Sequence, residues 1–119
     1  MRKVKFRGRD FAGLWHIGDL IHNDDDLLIR NGCLSTFIEN ETAGQFTGLM
    51  DKNGKEIYEG DIITFDNHLQ GISQVVYDYA GFDVDSKNYR TALRPMMNNH
   101  IRVIGNIHDN PELLKGGAE

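Results

Sequence analysis

The sequence predicts a mainly β fold with little helix. Two observations carry this. Short apolar runs alternate with turn-forming residues along most of the chain, and almost no stretch has the length and 3.6-residue apolar period of an amphipathic helix.

The elements follow in order. Val4 and Phe6 alternate with Lys3, Lys5 and Arg7, the pattern of a short half-buried strand. Leu27-Leu28-Ile29 and Leu34-Ser35-Thr36-Phe37-Ile38 flank Asn31-Gly32, a dipeptide that readily supplies the positive φ angles of a tight turn, so a hairpin is expected. Gln45-Phe46-Thr47-Gly48-Leu49 leads into the polar stretch Asp51-Lys52-Asn53-Gly54-Lys55, a turn with Asn-Gly at its tip. Glu56-Ile57-Tyr58 follows, then a second sharp turn at Glu59-Gly60-Asp61. Ile62-Ile63-Thr64-Phe65, β-branched and aromatic, reads as a strand. Its expected partner is Ile72 to Tyr77, joined to it through Asp66 to Gly71.

Phe82-Asp83-Val84 alternates as a further strand. Ile101 to Ile107 is the last, with Gly105 marking an expected bulge. Two helical candidates remain. One is Ser86 to Met97, interrupted by Pro95. The other is a final turn at Pro111 to Lys115, with proline at a helix start and Asp109 or Asn110 as the cap.

At 119 residues the chain has the size of one domain with one modest core. A single domain over residues 1–115 is expected, with 116–119 as a flexible tail. Apolar residues make up 39% of the chain and charged residues 26%, which suits a folded domain rather than disorder. A single cysteine, Cys33, excludes an internal disulfide framework and a multi-cysteine zinc site, and suits a reducing compartment. The basic start runs into Gly8-Arg9-Asp10 rather than an apolar segment, so secretion is not expected. No apolar run approaches the roughly 20 residues that cross a bilayer. A cytoplasmic protein without membrane contact is the expectation.

The net charge of −5 disfavours general nucleic-acid binding, which uses basic patches to neutralise phosphates. Positive charge collects at the N-terminus (Arg2, Lys3, Lys5, Arg7 and Arg9) and thinly at Arg90, Arg94 and Arg102. Asp24-Asp25-Asp26 and the middle of the chain are acidic.

Thr47-Gly48-Leu49-Met50-Asp51-Lys52-Asn53-Gly54-Lys55-Glu56-Ile57-Tyr58-Glu59-Gly60-Asp61-Ile62-Ile63 resembles the signature of the YopX family of phage and prophage proteins. Gly105-Asn106-Ile107-His108-Asp109-Asn110-Pro111-Glu112-Leu113-Leu114 resembles its C-terminal signature, and Lys5-Phe6-Arg7 its start. The resemblance implies a small SH3-like barrel, its core about residues 45–110, with N-terminal β elaborations. It also implies a phage or prophage setting and no established activity. The signature residues are turn formers and core formers, with Ile57, Ile62, Ile63 and Phe65 as core candidates, so the motif reads as specifying a fold.

Each candidate chemistry meets a simpler reading. The carboxylates Asp51, Glu56, Glu59 and Asp61 suggest calcium, but a loop starting at Asp51 has glycine fourth and Ile62 twelfth. An EF-hand loop needs glycine sixth and glutamate twelfth. Asp51 and Asp61 are expected to accept bonds from nearby backbone amides instead. No pair of carboxylates is singled out for glycoside hydrolysis, and Asp24-Asp25-Asp26 reads as a solvated loop. His16, His22, His68, His100 and His108 lack the spacing that places two ligands on one helical face. Cys33 reads as a small strand residue rather than a nucleophile. Nucleophile-elbow, phosphate-loop and dinucleotide motifs are absent from the sequence.

Phe6, Phe11 and Trp15 lie near the N-terminal basic residues, the composition of a stacking platform for single strands. The equally simple account packs Phe6 and Trp15 into the core and leaves the charges in solvent. No residue is assigned a catalytic, cofactor-binding or metal-binding role, and no cofactor is expected. The function expected is a non-enzymatic phage or prophage accessory protein that binds a phage or host protein, or copies of itself through an exposed edge strand. The alternative is nucleic-acid association through the basic N-terminal arm.

Overall fold

The structure is a computed structural model and describes residues 4–65, 72–78, 81–86 and 90–116. Arg2 and Lys3 of the basic arm, the Asp66 to Gly71 connection with His68, and tail residues 117–119 lie outside the described residues. The chain divides into two compact units, Met1–Gly48 and Leu49–Glu119.

The first unit contains β1 (Phe6–Arg9), β2 (Trp15–Asn23), β3 (Asp26–Asn31) and β4 (Leu34–Ile38). A 3-10 turn at Asn40–Thr42 and the beginning of β5 (Gly44–Met50) complete it. The strands are antiparallel in the order β4-β3-β2-β1-β5. Strand β2 changes partner along its length: Trp15 to Gly18 pair with β1, and Asp19 to Asn23 with β3. Gly18 stands at the handover, where a Cβ would come within 2.1 Å of the Arg30 carbonyl oxygen. Only a residue without one lets β3 approach that closely. An isolated bridge between Asp10 and Ile38, and a bond from Glu39 N–H to the Arg9 carbonyl, bring the end of β4 against the end of β1. Ile29 and Ile38 are buried inside this curl.

The predicted hairpin at Asn31-Gly32 is β3–β4, with one adjustment. Asn31 pairs with Leu34 as the last strand residue, and Gly32-Cys33 form the two-residue loop. Gly32 takes a φ of +65° at the first loop position, the requirement of a type II′ turn. Strand β2 itself has no counterpart in the sequence reading. Asp24 and Asp25 form the β2–β3 turn, with Asp24 at a φ of +56°, and Asp26 opens β3 opposite Asn23.

The second unit contains β6 (Glu56–Tyr58), β7 (Asp61–Phe65), β8 (Ile72–Asp78), β9 (Gly81–Ser86), β10 (Arg90–Ala92) and β11 (Ile101–Asn106), closed by helix α1 (Glu112–Gly116). A five-stranded antiparallel sheet runs β10-β9-β8-β7-β11. The core is Ile57, Ile63, Phe65, Val75, Val84 and Ile101, with Leu49, Leu93, Met97 and Val103 against it. Ile62 and Ile63 point to opposite faces of β7 and both are fully buried, so this strand is covered on both sides. The four core candidates of the signature are thus all buried. The bulge appears as a register shift in β11 between Val103, opposite Ile63, and Gly105, opposite Ile62.

Two expectations change. The described ladders draw two antiparallel sheets that are not closed, so the mainly β class stands while the closed SH3-like barrel is not among them. The described residues of Ser86 to Met97 do not form the expected helix, and 87–89 lie outside the described residues. Ser86 ends β9, β10 pairs through Thr91 opposite Val84, and Leu93 N–H extends that ladder to the Phe82 carbonyl. Only Pro95–His100 turns, as a 3-10 segment. The edge of an existing sheet supplies hydrogen bonds that this short, proline-broken stretch could not make as a helix.

Candidate functional site

Two of the signature carboxylates, Asp51 and Asp61, are oriented by backbone N–H groups. Asp51 Oδ1 accepts from the N–H groups of Asn53 and Lys55, each at 2.9 Å, and Oδ2 accepts from Val103 N–H at 3.0 Å. Burial pushes the Asp51 carboxyl up. The three backbone donors, Val103 foremost, outweigh it together with the Lys55 charge, and hold the group below its ordinary value. Asp61 is buried and its Oδ2 accepts from Tyr58 N–H at 2.7 Å. Glu56 Oε1 accepts from the Tyr58 hydroxyl at 3.0 Å. The predicted backbone role of Asp51 and Asp61 is therefore what they do. Among the described residues, no group of three His, Cys, Asp or Glu side chains is placed to hold a metal ion.

The two signature segments also meet. Lys52 N–H donates to the Ile101 carbonyl and Ile107 N–H to the Gly60 carbonyl. The Ile107 bond joins the two segments by continuing the β11–β7 ladder, while the Lys52 bond and the Asp51–Val103 bond reach β11 just before the C-terminal segment begins. Within the C-terminal segment, Asn106 Oδ1 accepts from the N–H groups of His108 and Asp109. Asn110 Oδ1 accepts from Asn106 N–H, so its side chain points back to β11 instead of over α1.

The described part of the basic arm faces inward partners. Lys5 Nζ lies 4.9 Å from the centre of the Phe46 ring, and the Arg7 guanidinium 4.8 Å from that of Trp15. Arg9 Nε donates to Glu39 Oε2 at 3.0 Å. The account that packs Phe6 and Trp15 into the core and leaves the charges in solvent does not hold in full: both rings are half-buried, and Arg7 is buried. Arg7 already covers a face of the Trp15 ring. His22 and His100 are exposed and His108 half-buried, while His16 Nε2 meets Asp10 Oδ2 at 2.8 Å. Cys33 is exposed on its hairpin loop.

Most of the exposed large apolar side chains lie in the first unit. Among the described residues they are Val4, Phe11, Leu14, Ile17, Leu34 and Phe37, against three in the second unit. Phe11 and Leu14 lie on the β1–β2 connection, which Asp10 organises. Its Oδ1 accepts from the N–H groups of Ala12 and Leu14, both at 2.9 Å. Its own N–H donates to the Leu14 carbonyl, and Gly13 N–H to the Asp10 carbonyl. The His16 contact, the largest influence, and these backbone donors hold the Asp10 carboxyl below its ordinary value. Sequence reasoning missed this loop, although an aspartate followed by glycine three residues later is a usable turn signal.

The family model described as "YopX protein" matches residues 12–115. None of the curated proteins compared with the chain matches it. Among solved structures, the chain is similar to the crystal structure of protein EF1440 from Enterococcus faecalis. The two are 25% identical, with a TM-score of 0.62, over 96% of this chain and 99% of that one. With most of its length matched by the family model and both signature segments built into one unit, the chain belongs to the YopX family.

Proposed function

We propose that the chain is a non-enzymatic accessory protein of a phage or prophage, acting in the host cytoplasm by binding another protein. The observation that carries this reading is the contrast between its polar and apolar groups. The signature carboxylates Asp51 and Asp61 are engaged by backbone N–H groups of their own fold, while large apolar side chains of the first unit stand in solvent. Large apolar side chains left in solvent mark a contact surface where they adjoin one another. Nucleic-acid association is the weaker reading, because Lys5, Arg7 and Arg9 already face Phe46, Trp15 and Glu39.

The test is affinity purification of the tagged protein from cells carrying the phage, with and without nuclease, read by mass spectrometry. A single protein retained at high stoichiometry after nuclease is the expected result. Loss of all co-purifying material on nuclease treatment refutes it in favour of the nucleic-acid reading.

A further inference from the structure

The chain holds two asparagine-glycine pairs, Asn31-Gly32 and Asn53-Gly54, and all four residues are exposed. Asparagine before glycine is open to attack by the next backbone nitrogen, because glycine has no side chain to shield that nitrogen. The two turns treat it differently. Gly54 N–H donates to the Asp51 carbonyl at 3.0 Å, and Asp51 N–H to the Lys55 carbonyl at 2.8 Å. Asp51 Oδ1 accepts from the amides on either side of that of Gly54, those of Asn53 and Lys55. Negative charge developing on the Gly54 nitrogen therefore meets a carboxylate. Gly32 N–H donates to no described residue. Its loop ends the β3–β4 hairpin at the outermost strand of the sheet, where local opening costs least. The Asn31 side chain is held by a single exposed bond, from Nδ2 to the Ile17 carbonyl at 3.1 Å.

We propose that Asn31-Gly32 is a site of spontaneous deamidation, while the turn around Asn53-Gly54 protects the second pair. The Gly32 nitrogen gives its proton to water, and its electron pair forms a bond to Asn31 Cγ. The Cγ–Nδ2 bond breaks, and the side-chain nitrogen leaves with the bonding pair and a proton as ammonia. Water then opens the succinimide ring at Cγ to give aspartate, or at the backbone carbonyl to give isoaspartate. Water is the co-reactant and nothing is oxidised. The product alters the first unit at the place where β2 changes partner. A carboxylate has no donor for the Ile17 carbonyl. Isoaspartate also lengthens the backbone by a methylene, which the Asn31–Leu34 pairing across a two-residue loop does not accommodate.

The experiment incubates the full chain at neutral pH, folded and in urea, and reads amide-to-acid conversion at both positions by peptide mass spectrometry. Isoaspartyl methyltransferase labelling identifies the isoaspartate. In the folded chain position 31 should convert at least about fivefold faster than position 53, the factor that one backbone hydrogen bond supports. In urea the two rates should converge. Equal folded rates, or faster conversion at position 53, would overturn the assignment. A ratio unchanged in urea would trace the preference to local sequence and overturn the protection by the turn. Ageing should also speed amide exchange over Leu34 to Ile38, and leave it unchanged in Asn31→Gln, whose longer side chain cyclises far more slowly. The same acceleration in both chains would remove the link between position 31 and the hairpin.

Discussion

Replacing Asp51 by alanine removes three charge-assisted hydrogen bonds at once. Each such bond contributes about 1.5–3 kcal/mol, but the losses are unequal. Asn53 and Lys55 are exposed, so water takes over their N–H groups. Val103 is half-buried in β11, and its N–H has no ready substitute. Removing the buried carboxylate also relieves its desolvation. The net cost is about 2–4 kcal/mol, mostly at Val103. At about 2.1 cal/mol/K of unfolding entropy per residue, a chain of this size loses roughly 8–16 °C of melting temperature.

Asp51→Asn keeps one acceptor oxygen but presents an amide donor to one of its N–H partners, so it should recover only part of the loss. The pH dependence follows from the lowered carboxyl. Between the folded value and the ordinary value of 3.8, the unfolded chain binds the extra proton. The contribution is therefore complete above the ordinary value and is lost as pH falls through the folded one. The gap between the unaltered chain and Asp51→Asn should close with acidification below about pH 4. Far-UV circular dichroism melts, with hydrogen exchange at Val103 and Lys52, give the readout. A melting temperature within 2 °C of the unaltered chain for Asp51→Ala, about 0.5 kcal/mol, would refute the reasoning.

Gly18→Ala places a Cβ on the Arg30 carbonyl, a backbone atom that cannot swing aside. It should cost about 3 kcal/mol and shift Trp15 fluorescence as β2 and β3 part. A variant with unchanged emission and stability would show that the strands separate freely there. Ser73 lies fully buried on β8, its hydroxyl without a hydrogen-bond partner among the described residues. Ser73→Ala should therefore stabilise the second unit by about 1 kcal/mol, read from urea midpoints. Destabilisation would mean that the hydroxyl is satisfied after all. Arg90 bridges Asp78 and Asp83 from the edge strand β10, and these charges raise its pKa, Asp83 foremost. Arg90→Ala should weaken the fold at low ionic strength and become neutral in high salt, because exposed pairs are screened. A loss that persists at 1 M salt would contradict this.

Much of the second unit was legible because its information is local. The run from Asp51 to Phe65 alternates turn residues with β-branched ones, and both the turns and the buried isoleucines follow. The first unit was harder. In Trp15 to Asn23 the apolar residues Trp15, Ile17, Leu20 and Ile21 keep no strict period of two, because the strand changes partner at Gly18. Edge strand β10 has three residues, too few for a pattern, and its surroundings read as a broken helix. The contacts of Lys5 with Phe46 and of Arg7 with Trp15 depend on strand neighbours that spacing alone does not name. Asp109 or Asn110 was expected as the cap, and the Asn110 side chain serves Asn106 instead, a choice between nearby amides that sequence does not decide.

The Asp51–Val103 bond spans 52 positions, which matters while the chain is being made. At about 5–20 residues per second, a ribosome takes roughly 3–10 s to travel from one partner to the other. During that interval Ile57, Ile63, Phe65, Val75 and Val84 have emerged while Ile101, which completes their core, has not. The free edge of β7 must wait for β11, its last partner. Strands β2 to β4 face no such delay, since each pairs with the strand made just before it. Synthesis thus leaves the second half of the chain exposed to misassociation for seconds in every copy, and a nascent chain stalled before Ile101 is the form that chaperones and proteases would meet.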